Sequence, residues 1–171
     1  GGGTTDMTTL LARSLNIGAA QLALWIGTDT FYDYMARFGF GAPTGVDVMA
    51  EAIGQVPQPG DALWTETNLA VNAFGQGMAT TPLQMITAIS ALANGGEIMQ
   101  TYFVQEILHH DGTVETHIPT ISRRPVSNET AQILTTMAIN AVAQEVPEAQ
   151  VQGYTIAGKT STAQIPEGGI Y

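Results

Sequence analysis

Apolar residues recur every three or four positions near the start of the chain. This spacing predicts a helical segment over residues 10–25. Thr5 or Asp6 precedes it and offers a side-chain oxygen to the free N–H groups of the first turn. We expect a break in this segment near Asn16 and Gly18. A second, short helix is predicted over residues 31–38.

Glycine and proline interrupt the pattern after the second helix. Gly39 favours a helix end there, because glycine readily adopts the left-handed backbone of a C-terminal cap. Residues 39–62 hold many further glycines and prolines, which predicts an irregular loop. Gly75 and Gly77 bracket a turn after that loop.

The most complete helix signal covers residues 81–93. Thr81 can cap the first turn, Pro82 suits the first helical position, and Gln84 can bond back to the cap. The apolar rhythm continues to residue 93, where Asn94-Gly95-Gly96 ends the helix.

Strand signals are confined to the second half of the chain. Runs over 102–108 and 113–118 flank an Asp-Gly pair at 111–112, which predicts a β-hairpin. A helix follows over 129–143, capped by Ser127 or Asn128, and a β-branched strand is predicted over 154–164. We expect Ile133, Leu134, Met137 and Val142 to face the core. This order of elements predicts an α+β fold with helices beside an antiparallel sheet.

Composition narrows the classes of partner. The 171 residues fit one domain, over residues 1–171, and 44% hydrophobic content is enough for a core. Acidic residues outnumber basic ones 15 to 5, and the net charge of −10 argues against nucleic acid as a partner. The absence of cysteine excludes disulfides and thiolate metal sites. No apolar run approaches the roughly 18 residues that span a bilayer.

The single lysine, Lys159, allows three interpretations. Residues 153–160 match the phosphate-binding pattern G-x-x-x-x-G-K-T, in which Thr160 would bind Mg²⁺. That pattern needs a strand before its first glycine and a helix after the lysine, and neither is predicted. Alternatively, Lys159 and neighbouring hydroxyls on a strand would suit a carboxylate or an oxyanion, provided that a twist brings them together. The third interpretation is an ordinary strand with an exposed lysine.

Two groups of residues, one rich in histidine and one acidic, could each form a functional site. His109, His110 and His117 flank the hairpin turn, but adjacent strand residues face opposite sides, so we expect a solvated hairpin and no metal. Asp47 and Glu51 could form a hydrolytic carboxylate pair, but nothing in the sequence fixes the distance between their carboxylates.

Several short motifs, in order along residues 11–164, change the balance of these interpretations. They are Ser14-Leu15-Asn16, Phe38-Gly39-Phe40-Gly41, Thr44-Gly45-Val46-Asp47 with Glu51, Gly75-Gln76-Gly77, Thr81-Pro82-Leu83-Gln84, Asn94-Gly95-Gly96 and Lys159-Thr160-Ser161-Thr162-Ala163-Gln164. Together they resemble the transpeptidase domain of penicillin-binding proteins. That resemblance implies a serine β-lactamase/transpeptidase-like α+β fold with a helical lobe beside an antiparallel sheet.

The resemblance also implies an activity and a set of site residues. The family transfers D-Ala-D-Ala peptides of peptidoglycan through a serine acyl-enzyme, needs no cofactor, and is acylated by β-lactams at the same serine. By resemblance, Ser14 and Lys159 are catalytic and share a hydrogen bond, and Asn16 holds the substrate amide. Thr160 and Thr162 bind the terminal carboxylate beside Ser161, and the Thr162 N–H serves the oxyanion hole.

Two departures from the family pattern bear on activity. The nucleophilic S-x-x-K motif is absent, since the only lysine already lies in the later motif. We therefore expect a partial domain that is inactive alone and belongs to a longer parent protein. The family resemblance implies that the parent works on the extracytoplasmic face of a bacterial membrane. Ser161 stands where the family has glycine. This leaves a non-catalytic, peptide- or β-lactam-binding scaffold as an alternative.

Overall fold

The computed structural model describes residues 3–62 and 64–161. The chain divides into two compact units. The first contains residues 1–32, 57–78 and 132–171, and the second contains residues 33–56 and 79–131. Within the described ranges, no helix combines the length and the apolar character needed to cross a membrane.

Helices dominate both units, and the strands are short. The helices are α1 (Met7–Ala12), α2 (Asn16–Ile26), α3 (Thr28–Arg37), α4 (Glu66–Asn72), α5 (Pro82–Ala93) and α6 (Asn128–Glu145), with a 3-10 turn at Pro147–Ala149. The strands are β1 (Ile98–Met99), β2 (Glu106–Leu108), β3 (Val114–Thr116) and β4 (Ile121–Arg123). They form two antiparallel pairs, β1 with β4 and β2 with β3.

The first unit is organised around the packing of α2 against α4. The buried Tyr32 hydroxyl accepts a hydrogen bond from the Trp64 indole N–H at 2.9 Å and lies 2.9 Å from the Asn72 amide. Buried polar groups are stable only when they are paired, so this trio fixes the loop before α4 to the rest of the unit. The apolar core beside it includes Ala12, Ala23, Leu69, Ala141 and Val142.

The second unit is organised around Gln84, whose side chain is 1% exposed. Its Nε2 donates to the carbonyls of Ala42 at 2.8 Å and Ile53 at 2.9 Å. Its Oε1 accepts from the Thr81 N–H, so one side chain completes the predicted capping box and ties α5 to the long loop. Around this centre, α5 packs against β1.

Most of the predicted elements are confirmed with shifted ends. The predicted break in the first helix lies at residues 13–15, between α1 and α2. Gly18 lies inside α2 instead, where a Cβ would be 2.7 Å from Leu10 Cδ1, so glycine permits close packing there. The capped α5, the hairpin and α6 all form as predicted. Helix α4 and the β1–β4 pair were not predicted.

Two expectations, one about a residue and one about a segment, are wrong. Ile133 is exposed, although the helical pattern placed it in the core, because the buried side of α6 is formed by small residues such as Ala131 and Ala141. The strand predicted over residues 154–164 does not form over 154–161. A strand needs a neighbouring strand to pair with. Here the Gly158 N–H donates instead to the carbonyl of Ala138, on helix α6, at 3.3 Å.

Candidate active site

The turn between α1 and α2 places Ser14 and Asn16. Asp6 caps α1 by accepting from the Thr9 N–H at 2.7 Å, and the helix ends at Ala12. Ser14 then takes a left-handed backbone conformation with φ of 51°, and Asn16 begins α2. Both residues are exposed. A non-glycine residue in this region costs about 1–2 kcal/mol and is concentrated at functional sites, so Ser14 is marked by its backbone as well as by its motif.

The segment that carries Lys159 is extended and lies against α6. The Gly158 N–H donates to the Ala138 carbonyl on α6. A Cβ added at Gly158 would lie only 3.3 Å from Val142 Cγ2, so the segment approaches α6 closely. The Lys159 ammonium donates to the Thr160 carbonyl at 2.9 Å and to the Thr160 hydroxyl at 3.1 Å. Because the segment is not a paired strand, these adjacent side chains converge, which strict strand alternation would prevent. The result is a cation beside a hydroxyl in an exposed position.

A cleft of about 200 Å³ lies between the segment that carries Lys159 and the end of α1, which precedes Ser14 by two residues. One wall is formed by Lys159, Thr160 and Gly158, and the other by the end of α6 with Ala12, two residues before Ser14. Arg13 Nε lies 3.9 Å from Glu145 Oε1, which holds the end of α1 at the end of α6. The lining residues are Ala12, Ala141, Val142, Glu145, Val146, Ala149, Ile156, Gly158, Lys159 and Thr160.

The structure therefore brings some of the predicted site residues together. Lys159 and Thr160 line the same cleft as Ala12, which precedes Ser14 by two residues. The Lys159 ammonium donates to Thr160 and makes no hydrogen bond with Ser14. Ser161 is exposed. Thr162 lies outside the described residues. Sequence reasoning missed Glu145, because the helix was predicted to end at residue 143 whereas α6 extends to Glu145.

The local structure does not fit the phosphate-binding interpretation of residues 153–160. That interpretation needs a strand before Gly153, and the chain there is a 3-10 turn that follows helix α6. The residues around Gly153 form a turn and then an extended segment up to residue 161.

The Asp47–Glu51 loop is a structural clamp. The Asp47 carboxylate accepts the N–H groups of Phe103 at 2.7 Å and Val104 at 2.8 Å. Glu51 accepts the N–H groups of Thr44 at 2.8 Å and Gly45 at 3.2 Å. The bonds from Phe103 and Val104 favour the charged form of Asp47 and hold its pKa below the usual value. The Thr44 side chain, followed by the Thr44 and Gly45 N–H groups, lowers the pKa of Glu51 in the same way. Neither carboxyl is tuned toward the raised pKa of a general acid, which argues against a hydrolytic pair.

Acid should weaken the Asp47 clamp. Because the folded pKa is lowered, the clamp stabilises the fold above the unfolded value of about 3.9 and loses that effect as pH falls further. At pH 7 we expect the Asp47→Asn variant to melt at a lower temperature than the unmodified protein. Near pH 3 we expect the two melting temperatures to lie closer together. Thermal unfolding at both pH values measures this. Asp33→Asn is the control, since Asp33 pairs only with Arg37 one turn away on α3. If Asp47→Asn lowers the melting temperature by the same amount at both pH values, the predicted role of the Asp47 carboxylate is wrong.

The histidines near the hairpin do not gather around a common point. His109 Nε2 lies 3.7 Å from Glu115, whereas the His117 ring stacks on Tyr102 with centroids 3.8 Å apart. In the part of the chain that the structure describes, no group of three or more histidines and carboxylates could hold a metal ion.

Comparison with known proteins identifies the class. A family model described as the penicillin binding protein transpeptidase domain matches residues 1–169. The chain belongs to this family of serine-type transpeptidase domains, and its fold is the α+β transpeptidase fold.

The similar proteins include several from mycobacteria. Penicillin-binding protein PbpB of Mycolicibacterium smegmatis is 33% identical over 92% of this chain and 25% of its own length. Peptidoglycan D,D-transpeptidase PbpA of the same species is 30% identical over 95% of this chain and 33% of its own length. The crystal structure of penicillin-binding protein 3 from Mycobacterium tuberculosis, complexed with aztreonam, has a TM-score of 0.86 and 32% identity, over 95% of this chain and 38% of that one. The chain thus spans about a quarter to a third of the curated relatives described here.

Proposed function

We propose that residues 1–171 form part of a D,D-transpeptidase domain that cross-links D-Ala-D-Ala stem peptides of peptidoglycan and binds β-lactams. Its place would be the extracytoplasmic face of a bacterial membrane. The observation that carries the proposal is the cleft lined by Lys159, Thr160 and Ala12, because it lies between the Lys159 motif and the helix end that precedes Ser14, in a chain that the family model matches almost entirely. A relative named as a peptidoglycan D,D-transpeptidase and a neighbour complexed with aztreonam support the substrate class.

The site residues have different proposed roles, because some would bind the substrate's charged or polar groups and others would transfer a proton. Lys159 and Thr160 offer a cation and a hydroxyl side by side, the donors that suit a peptide's terminal carboxylate. Ser14 would relay a proton toward the leaving group with Lys159, and Asn16 would hold the substrate amide. Thr162 would complete the carboxylate site and the oxyanion hole beside Ser161. A preorganised anion site of this kind stabilises the tetrahedral intermediate of acyl transfer.

The nucleophile would come from another part of the parent protein. An S-x-x-K motif ending at the only lysine would need serine at position 156, which is Ile156. A serine without a neighbouring base is a weak nucleophile, so this chain alone should form no acyl-enzyme. A reporter β-lactam, incubated separately with the chain and with its intact parent and followed by peptide mapping, tests this. The expected adduct is on a parent serine outside residues 1–171; an adduct on Ser14 or Ser161 would overturn the assignment.

The role of Ser14 can be measured in the same parent protein. Ser14→Ala should slow acylation by about 10²-fold or more, because it removes a proton relay. Ser122→Ala is the matched control, since Ser122 is exposed on β4 and lies outside all the motifs. The second-order acylation rate constant is the readout. Equal rates for both variants would exclude Ser14 from the proton relay.

Exposed apolar helix faces favour a covering segment from the rest of the parent. Ile17 and Trp25 on α2 are 88% and 74% exposed. Ile86 and Ile89 on α5 are also exposed. Apolar surface contributes about 25 cal/mol per Å² on burial, so several hundred Å² left in water would cost about 10 kcal/mol.

This exposure predicts a poorly soluble isolated chain. Ile17→Ser should reduce its aggregation without loss of helical circular dichroism. Leu69→Ser, at a buried position of the same unit, should unfold the unit instead. Light scattering during a thermal ramp measures both variants. A monodisperse unmodified chain with a sharp, reversible transition would contradict the need for a covering segment.

The second candidate is a non-catalytic scaffold, and Ser161 favours it. A side chain where the family has glycine can change how closely substrate approaches the segment. If Ser161→Gly in the intact parent raises the acylation rate while the parent also contains an S-x-x-K serine, the enzyme is favoured. If the parent lacks that serine and binds a β-lactam reversibly, the scaffold is favoured.

A further inference from the structure

In the described part of the chain, no strand pairs with the outer edge of β3 in the β2–β3 hairpin. In the hairpin, the His117 N–H donates to Gln105 and the His109 N–H donates to Thr113, so the bonded pairs fall on odd-numbered residues. An antiparallel ladder alternates inward and outward groups. The backbone groups of residues 114, 116 and 118 therefore point away from β2.

Side-chain alternation divides the hairpin into two unlike faces. Residues of even number share one face, and its large apolar side chains, Val104, Leu108, Val114 and Ile118, are all exposed. Leu108 and Ile118 are 74% and 75% exposed. The odd-numbered face is mostly polar, with one exposed aliphatic residue, Ile107, beside Gln105, His109, Glu115 and His117. Exposed edges beside apolar faces are templates for pairing with another strand.

The two edges of the hairpin differ in their capacity for self-pairing. At the start of the β2 edge, the Asp47 carboxylate already accepts the N–H groups of Phe103 and Val104. Antiparallel self-pairing centred on Glu106 would also set two carboxylates opposite each other, which is destabilising. The β3 edge has the neutral Thr116 at its centre.

We propose that β3 pairs with β3 of a second copy of this chain, antiparallel and centred on Thr116. In this register Val114 lies opposite Ile118 of the second copy, and Glu115 lies opposite His117 rather than opposite another carboxylate. A two-fold axis perpendicular to the sheet keeps both apolar faces on the same side. The result is a four-stranded sheet whose aliphatic side chains form one continuous surface.

The pairing surface is complementary to itself but small. A few ladder bonds and two apolar cross-strand pairs bury much less than a permanent interface, so the association is weak and depends on concentration. The net charge of −10 on each copy opposes it at low salt, and screening relieves that repulsion.

Disulfide trapping in the full chain tests the pairing, because the chain has no native cysteine. Thr116→Cys should cross-link to itself at least about tenfold faster than Glu106→Cys, since directly opposed strand residues meet the Cα distance of a disulfide. Glu106 is the matched control, because it is exposed and pairs with Thr116 in the hairpin. Equal rates would overturn the proposal and point to non-specific association through the helix faces.

The register has a separate test. An equimolar mixture of Val114→Cys and Ile118→Cys should give mixed dimer in clear excess over the statistical share, which is the sum of the two homodimers. Thr116→Pro should abolish the sedimenting dimer while the hairpin is kept, because proline is tolerated where an edge N–H points outward. A statistical mixture of disulfides, or a dimer that survives in a Thr116→Pro protein with unchanged circular dichroism, would overturn the pairing.

Discussion

Replacement of Gly96 by alanine is expected to lower the free energy of unfolding by more than about 3 kcal/mol. Gly96 has φ of 90°, and an added Cβ would lie 2.2 Å from the Val126 carbonyl oxygen and 3.0 Å from its carbon. Both contacts are to backbone, so no side chain can rotate away. The loop after α5 and the segment entering α6 must therefore separate, in addition to the backbone strain that alanine would carry at this φ.

Gly60→Ala separates these two contributions. Gly60 has φ of 99°, and nothing lies within 4 Å of an added Cβ. Its substitution should cost only the backbone strain of about 1–2 kcal/mol. Pulse proteolysis of both variants in a urea series, within the intact parent, measures the difference. If both variants lose the same free energy of unfolding, the loop beside Val126 accommodates the added side chain without cost.

Gln84→Leu is expected to destabilise the second unit by about 3–5 kcal/mol. The amide satisfies three backbone groups from within a site that is 1% exposed. Leucine has nearly the same volume but leaves the Ala42 and Ile53 carbonyls without this donor, so the loss comes from unpaired polar groups rather than from a cavity. The same proteolysis assay reports it.

Gln100→Leu is the matched control for Gln84. The Gln100 amide also donates to a loop carbonyl, that of Gly45, at 2.8 Å, but Gln100 is only partly buried. Water can replace its hydrogen bond, so the loss should be about 1 kcal/mol. Similar losses for the two variants would show that Gln84 is not the centre of the unit.

Sequence reasoning succeeded where a local signal was complete. The Thr81–Gln84 capping box depends only on residues three positions apart, and it forms as predicted. The Asp111-Gly112 turn likewise forms the hairpin without help from distant residues. Helix α4 was missed because its seven residues are too few for a clear period, and β1 because it has only two residues.

The site was predicted from the resemblance of motifs more than from their chemistry. Lys159 and Thr160 were expected to converge only with a local twist, and they do converge, in an extended segment held by α6. In the structure Lys159 donates to Thr160 and not to Ser14, and the functional roles of Ser14, Asn16, Ser161 and Thr162 stay predictions. Glu145 was missed because only the tertiary structure brings its carboxylate to within 3.9 Å of Arg13, which follows the end of a different helix, α1.

The order of residues alone determined the helix caps, the hairpin turn, the acidic charge and the family, since each depends on residue types at short fixed spacing. Tertiary structure decided where Gln84 donates, why Gly96 tolerates no side chain, and how residues near positions 12 and 159 come to line one cleft. Those outcomes depend on contacts between segments far apart in the chain. Such contacts follow from how whole faces pack together, and no short window of sequence contains them.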